Sequence, residues 1–304
     1  LFQELIQQLA QKEKVVVLID EYDKPIIDYV DRISQAVEHR EVLKNFYSIV
    51  KDNDASLRFF FITGVSKFSQ VSIFSDLNHL TDITLGKKFA TLTGITQEEF
   101  LHNFQEHIAA LQKEMEGVYD NVMAAIKEEY FGYSWDGQHF VYNPFALLSL
   151  LNNMEFGEHW FRTGTPTFLM KLIREKNYSA LDIENMTLSA SMLDKYEIEN
   201  IALLPLLFQT GYLTIKTFNV IRQQITLDYP NKEVAKAFRT HLLANMNSGE
   251  TAKTDALLVK MTDALENNHI ENFIGLFNAL LQGISYPIAR PHENYFHSVF
   301  YLVM

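Results

Sequence analysis

Residues 15–25 read Val15-Val16-Val17-Leu18-Ile19-Asp20-Glu21-Tyr22-Asp23-Lys24-Pro25, and the architecture turns on them. Five apolar residues in a row, flanked by charge, read as a strand buried on both faces of a parallel sheet. Asp23 and Pro25 then read as a helix start, an N-cap acid followed by an early proline. Ile26, Ile27, Val30, Ile33 and Val37 continue at helical spacing, and a related pattern carries on to Val50. A second wholly apolar run, Phe59-Phe60-Phe61-Ile62, ends at Thr63-Gly64. Strand, helix and strand in this order predict a right-handed βαβ crossover. One more short strand is expected within Thr84 to Thr93.

In open parallel sheets, ligands bind beyond the carboxyl ends of the strands. Asp20 and Glu21 stand at that end of the first strand. An apolar strand followed by Asp-Glu is the Walker B arrangement, and each acid has a physical task. Asp20 would hold the shell of a Mg²⁺ ion, usually through water, because Mg²⁺ prefers oxygen ligands and keeps much of its hydration. Glu21 would accept a hydrogen bond from the attacking water and aim it at the γ-phosphate of ATP. Thr63, at the end of the neighbouring strand, could contact that water or the phosphate. The same acids also suit a helix start, which their charge stabilises with no catalytic role. A complete site needs a phosphate cradle, G-x-x-x-x-G-K-[ST]. Gly86-Lys87 fails it, because Thr81 stands at the first glycine and Lys88 at the Ser/Thr position. Gly64-Val65-Ser66-Lys67 fails the spacing as well. These residues alone are therefore expected to bind ATP poorly and not to turn it over.

Beyond residue 96 the pattern becomes helical. Thr96-Gln97-Glu98-Glu99 is a capping box opening a helix that carries Phe100, Phe104 and Ile108. A second helix runs to about Tyr130, Asn143-Pro144 opens a third, and Thr165-Pro166 a fourth. Ile198 to Phe208 reads as a buried helix, followed by a hairpin of Tyr212 to Lys216 and Gln224 to Asp228. Helices followed by a hairpin suit a winged-helix module. Tyr229-Pro230-Asn231 breaks the chain before further helices. The expected fold class is α/β, then mostly α, with domains at 1–96, 97–229 and 230–304.

Composition narrows the function. The 304 residues carry 23 Phe and 14 Tyr, enough aromatic volume for several filled cores. No cysteine is present, which removes disulfides, thiolate metal sites and cysteine nucleophiles, and suits a reducing, cytoplasmic setting. A net charge of −12 disfavours a protein coated in nucleic acid, which needs clustered Lys and Arg. No run approaches the ~20 apolar residues that span a bilayer. The chain opens at Leu1 in a helical pattern and stops within Tyr301-Leu302-Val303-Met304, as a segment of a longer protein would.

These stretches resemble one bacterial family, the AAA-ATPase-like proteins fused to a PD-(D/E)XK nuclease-like domain. The resemblance rests on Val15–Pro25 (VVVLIDEYDKP), Phe61–Ser69 (FITGVSKFS) and Phe74–Thr84 (FSDLNHLTDIT). It continues through Tyr130–Tyr133 (YFGY), Val141–Leu147 (VYNPFAL), Trp160–Leu169 (WFRTGTPTFL) and Leu207–Ile215 (LFQTGYLTI). It implies a P-loop ATPase core using ATP and Mg²⁺, whose phosphate loop would lie upstream of Leu1. It also implies a helical lid with a winged-helix-like part, and the start of a nuclease-like domain. Asp20 and Glu21 match the family's Walker B acids, and Thr63 sits near its sensor position. Gly164 and Pro166 match a Gly-x-Pro motif that sets the lid against the nucleotide, with Arg162 beside it as a phosphate-sensing arginine or a solvated helix-start residue. Glu293 matches an early helix glutamate of the nuclease-like domain.

Other patterns are weaker. His292-Glu293 with His297, and His102 with His107, place the histidines five apart, where a zinc-protease helix needs four. The aromatic groups at Tyr130–Trp135 and Trp160–Phe161 suit core packing better than base stacking. Two functions follow from the resemblance. One is an ATPase whose nucleotide state is coupled to the nuclease-like domain. The rival is a DNA-binding or scaffolding module with a degenerate ATPase half, in which the winged-helix-like region (about 157–229) and the nuclease-like part dominate and Asp20–Glu21 is only a helix cap.

Overall fold

The computed structural model describes residues 1–29, 32–65, 80–160, 169, 172–173, 183–194, 202–246, 251–283 and 299–303. Helix α1 (Phe2–Ala10) leads into strand β1 (Val15–Ile19). Two helices, α2 (Lys24–Ile27) and α3 (Ile33–Asp52), carry the chain back to β2 (Leu57–Ile62). The strands pair in parallel, Val16 against Phe59 and Ile19 against Ile62, as a βαβ crossover requires.

The strand is not covered on both faces as its sequence suggests. Val15, Val17 and Ile19 pack with Phe60 and Ile62 against a core containing Ile6, Ile26, Ala36, Tyr47 and Val50. Val16 is 51%, Leu18 68% and Phe59 53% exposed on the other face. Side chains alternate across a strand, and among the described residues only one layer of helices lies on this sheet. The expected single helix is also divided. Helix α2 ends after one turn and α3 starts at Ile33, which is itself exposed.

The strand expected within 84–93 is absent. Asp82 accepts from the Thr84 amide, Gly86 N–H donates to Ile83 O, and a 3₁₀ turn covers Lys87–Phe89. These local bonds satisfy the backbone in place of a ladder.

The next unit combines a small antiparallel sheet with four helices. Strands β3 (Ile95–Thr96), β4 (Phe131–Tyr133) and β5 (Val141–Tyr142) pair in the order β3-β5-β4. Helices α4 (Gln97–Asn103), α5 (Gln105–Glu114), α6 (Val122–Tyr130) and α7 (Pro144–Asn153) enclose Phe100, Leu111, Ile126, Tyr130, Tyr142 and Leu147. The caps follow their sequence signals. Thr96 and Glu99 form both halves of a capping box, and Asn143 accepts from Ala146 N. The long helix read through Ile108 breaks at Phe104.

Strands β6 (Met186–Ser189), β7 (Thr214–Asn219) and β8 (Gln224–Asp228) form a third sheet, antiparallel, in the order β6-β8-β7. Helix α8 (Leu203–Gln209) precedes its hairpin. Ser134 ties this sheet to the second unit through Thr214, whose hydroxyl donates to Ser134 O at 2.9 Å. Helices α9 (Lys232–Met246), α10 (Thr251–Glu266) and α11 (Ile270–Gly283) pack in sequence after it. No helix among the described residues is long and apolar enough to cross a membrane.

Candidate functional site at the strand ends

The parallel register brings the ends of β1 and β2 level, so the residues that follow meet side by side. Thr63 N–H donates to Ile19 O at 2.8 Å, and Tyr22 N–H to Thr63 O at 2.9 Å, extending the ladder past both strands. The Thr63 hydroxyl donates to Asp20 Oδ1. That oxygen also accepts the Glu21 amide at 3.0 Å. Asp20 and Glu21 are exposed, and neither forms a salt bridge with a described residue.

Glu21 has φ +49°, a left-handed conformation that is uncommon for a residue with a side chain. This turn leaves the Glu21 carboxylate at the strand tip and sends the next two residues inward. Tyr22 is 8% exposed and meets Tyr47 edge-on, with ring centres 6.5 Å apart. Asp23 is fully buried.

Asp23 was expected to cap the helix that follows. It stands at that position but makes no side-chain cap bond. Its Oδ1 instead accepts the Val65 amide at 3.1 Å, reaching from the first turn to the second. Between them lies Gly64, where an added Cβ would fall 2.4 Å from Tyr22 Cε1 and 2.6 Å from Asp23 Oδ1. Burial, and then the negative charge of Asp23, hold the Tyr47 phenol above its ordinary value of 10.0. Asp23, Tyr22 and Gly64 are parts of the site that sequence reading missed. The only sequence sign was a third acid placed close behind the Asp-Glu pair.

Of the residues named from sequence, the fold brings together Asp20, Glu21 and Thr63. Arg162, Gly164, Pro166 and Glu293 lie outside the described residues, as does most of the stretch expected to form a helix from Thr165. Among the described residues, no group of three or more His, Asp or Glu side chains is arranged to hold a metal ion. At the strand end, Asp20 is the residue that could reach a Mg²⁺ ion, through water. One carboxylate oxygen of Asp20 is held by Thr63 and Glu21 N–H, and the other makes no hydrogen bond to a described residue.

A second acid–base grouping proves structural. Asp136 Oδ1 accepts the Gln138 and His139 amides at 2.9 and 2.8 Å, and its Oδ2 lies 2.6 Å from His139 Nδ1. Ser134 Oγ donates to the same aspartate and accepts the Gly137 amide, so it is not paired with the histidine as a nucleophile would be. Tyr130 and Tyr133 are buried and Trp160 packs edge-on against Tyr212, so these aromatic groups belong to packing.

Comparison with known proteins finds a family match over the first part of the chain. The AAA-ATPase-like family model, described as "Predicted AAA-ATPase", matches residues 1–74, which contain Asp20, Glu21 and Thr63. A relative from Azotobacter chroococcum mcd 1, "Uncharacterized protein in vnfD 5'region", is 39% identical over 310 residues. That alignment covers 99% of this chain, and the chain spans 58% of the relative's length. No solved structure matches.

Proposed function

We propose that this chain is part of an ATP-binding, ATP-hydrolysing AAA-like protein, with the ends of β1 and β2 forming the acidic half of its nucleotide site. One observation carries the reading: Asp20 and Thr63 meet at matched ends of adjacent parallel strands, with Glu21 turned out beside them. In a nucleotide complex, Mg²⁺ would neutralise phosphate charge and bridge the triphosphate. Asp20 would hold the metal's water shell, Thr63 would fix the carboxylate's rotamer, and Glu21 would orient the attacking water.

The phosphate loop comes from outside these 304 residues in this proposal. The open face of Val16, Leu18 and Phe59 supports it, since a two-stranded sheet bare on one side leaves room for further elements. The same reading assigns residues 97–229 to a lid with a winged-helix-like part, including Arg162, Gly164 and Pro166. It assigns residues 230–304, with Glu293, to the start of a nuclease-like domain to which the nucleotide state is coupled.

The deciding experiment is Glu21→Gln in the complete protein. ATP turnover is expected to fall about 100-fold or more while ATP still binds, because the amide cannot accept a proton from water. Unchanged turnover removes Glu21 from the mechanism and the strand-end site assignment with it.

A further inference from the structure

Asp23 is an acid with no exposed surface, seated directly behind the strand-end carboxylates. A carboxylate withdrawn from water persists only where donors hold it. Helix α2 does not account for it, because Asp23 gives that helix no side-chain bond and α2 spans only four residues. The Val65 amide is one of the donors that hold it.

We propose that Asp23 is a positioning residue of the strand-end site: by holding the Val65 amide it fixes the turn after β2, and so keeps Thr63 against Asp20. The proposal rests on the nucleotide reading of Asp20 and Glu21 given above.

Beside the Thr63–Asp20 hydrogen bond, three further ties between the two turns are described. Thr63 N–H to Ile19 O and Tyr22 N–H to Thr63 O are backbone bonds, which many sequences could make. The third, Val65 N–H to Asp23 Oδ1, depends on one side chain. It also lies farthest along the turn, where the chain leaves the sheet and loses ladder support. Gly64 lets this tie close, since Tyr22 and Asp23 occupy the space a side chain would need. Without the carboxylate, the turn can lift and carry the Thr63 hydroxyl away from Asp20 Oδ1. Asp20 would then lose the donor that fixes its rotamer, and displacements of this kind act on the chemical step. Burial, and after it the Asp23 charge, raise the Tyr47 phenol, which places Asp23 near that side chain as well.

The test compares Asp23→Asn and Asp23→Ala in the complete protein, with Glu21→Gln beside them. Asparagine keeps the shape and one acceptor oxygen, but a neutral acceptor holds an amide less strongly. The expected order is a kcat for ATP hydrolysis about threefold lower in Asp23→Asn and about tenfold or more lower in Asp23→Ala. KM for ATP should stay within about twofold, and hydrogen exchange at the Val65 amide should quicken in the same order. Wild-type kcat in Asp23→Asn, a loss confined to KM, or unaltered Val65 exchange overturns the proposal. If Asp23→Ala does not fold, Asp23→Asn alone decides by the same three readings. Activity lost in Glu21→Gln but intact in both Asp23 variants rejects the positioning role only. Activity intact in all three rejects the strand ends as the hydrolytic site.

Discussion

A methyl group at position 64 has nowhere to go. Its carbon would lie well inside contact distance of the Tyr22 ring and the Asp23 carboxylate, and Tyr22 is itself pinned edge-on against Tyr47. Gly64→Ala is therefore expected to cost about 2 kcal/mol in a denaturant melt, the range for overpacking a tight site. It should also speed hydrogen exchange at Val65, because relieving the clash means opening the turn. Unchanged stability would show that Tyr22 can swing aside. In the sequence Gly64 read as the end of a strand and as part of a phosphate-loop match that failed its spacing. Its necessity comes from Tyr22, which reaches it through the pairing of β1 with β2, a contact that no local pattern encodes.

The loop between β4 and β5 is built on one carboxylate. Burial pushes the Asp136 carboxyl up, but hydrogen bonds from the His139 amide and ring and from the Gln138 amide more than offset this, so it stays below the usual aspartate value of 3.8. A carboxylate depressed on folding stabilises fully above its unfolded pKa, and that stability is lost as pH falls through the folded value. The loop should thus keep its stabilisation at neutral pH and lose it as pH drops below about 3.8. Acid melts of wild type and Asp136→Asn would show this as two stability curves that converge below that pH; curves that stay parallel would contradict it. Element starts were largely legible, because Thr96 with Glu99 and Asn143 with Pro144 carry their capping chemistry in adjacent residues. Element interiors were less so. Phe104 interrupts a helix that periodicity carried through it, and the region around Gly86 spends its backbone bonds on turns although its residues suit a strand.

The open face of the parallel sheet is the largest consequence of how the pieces assemble. Leu18 and Phe61 are register partners, as are Val16 and Phe59, and the Phe59 and Phe61 rings stack with centres 6.1 Å apart. A continuous apolar face of this kind favours association. The 304-residue chain should self-associate as concentration rises. Leu18→Ser with Phe59→Ser should reduce that in light scattering, with a melting temperature shift of only about 3 °C or less, because both side chains are already exposed. Equal association in the double variant would place the contact elsewhere. The opposite end of the chain is tied back by charge. Arg239 on α9 makes two bonds to Glu184, at 3.0 and 2.9 Å, and Tyr301 donates to the same carboxylate. This cluster joins residues far apart in sequence, and none of its members was distinctive before the chain was folded.

What the sequence alone determined is local: apolar runs that become β1 and β2, acids placed where β1 stops, and cap residues that start helices. Each follows from the chemistry of neighbouring residues. Tertiary structure decided which strand faces were covered, that Asp20 would meet the Thr63 hydroxyl, and that Asp23 would turn inward to Val65 and away from its helix. Those outcomes depend on strand register and on which side chains arrive from distant segments, and pairwise contacts across the fold are set by packing that residue order does not display.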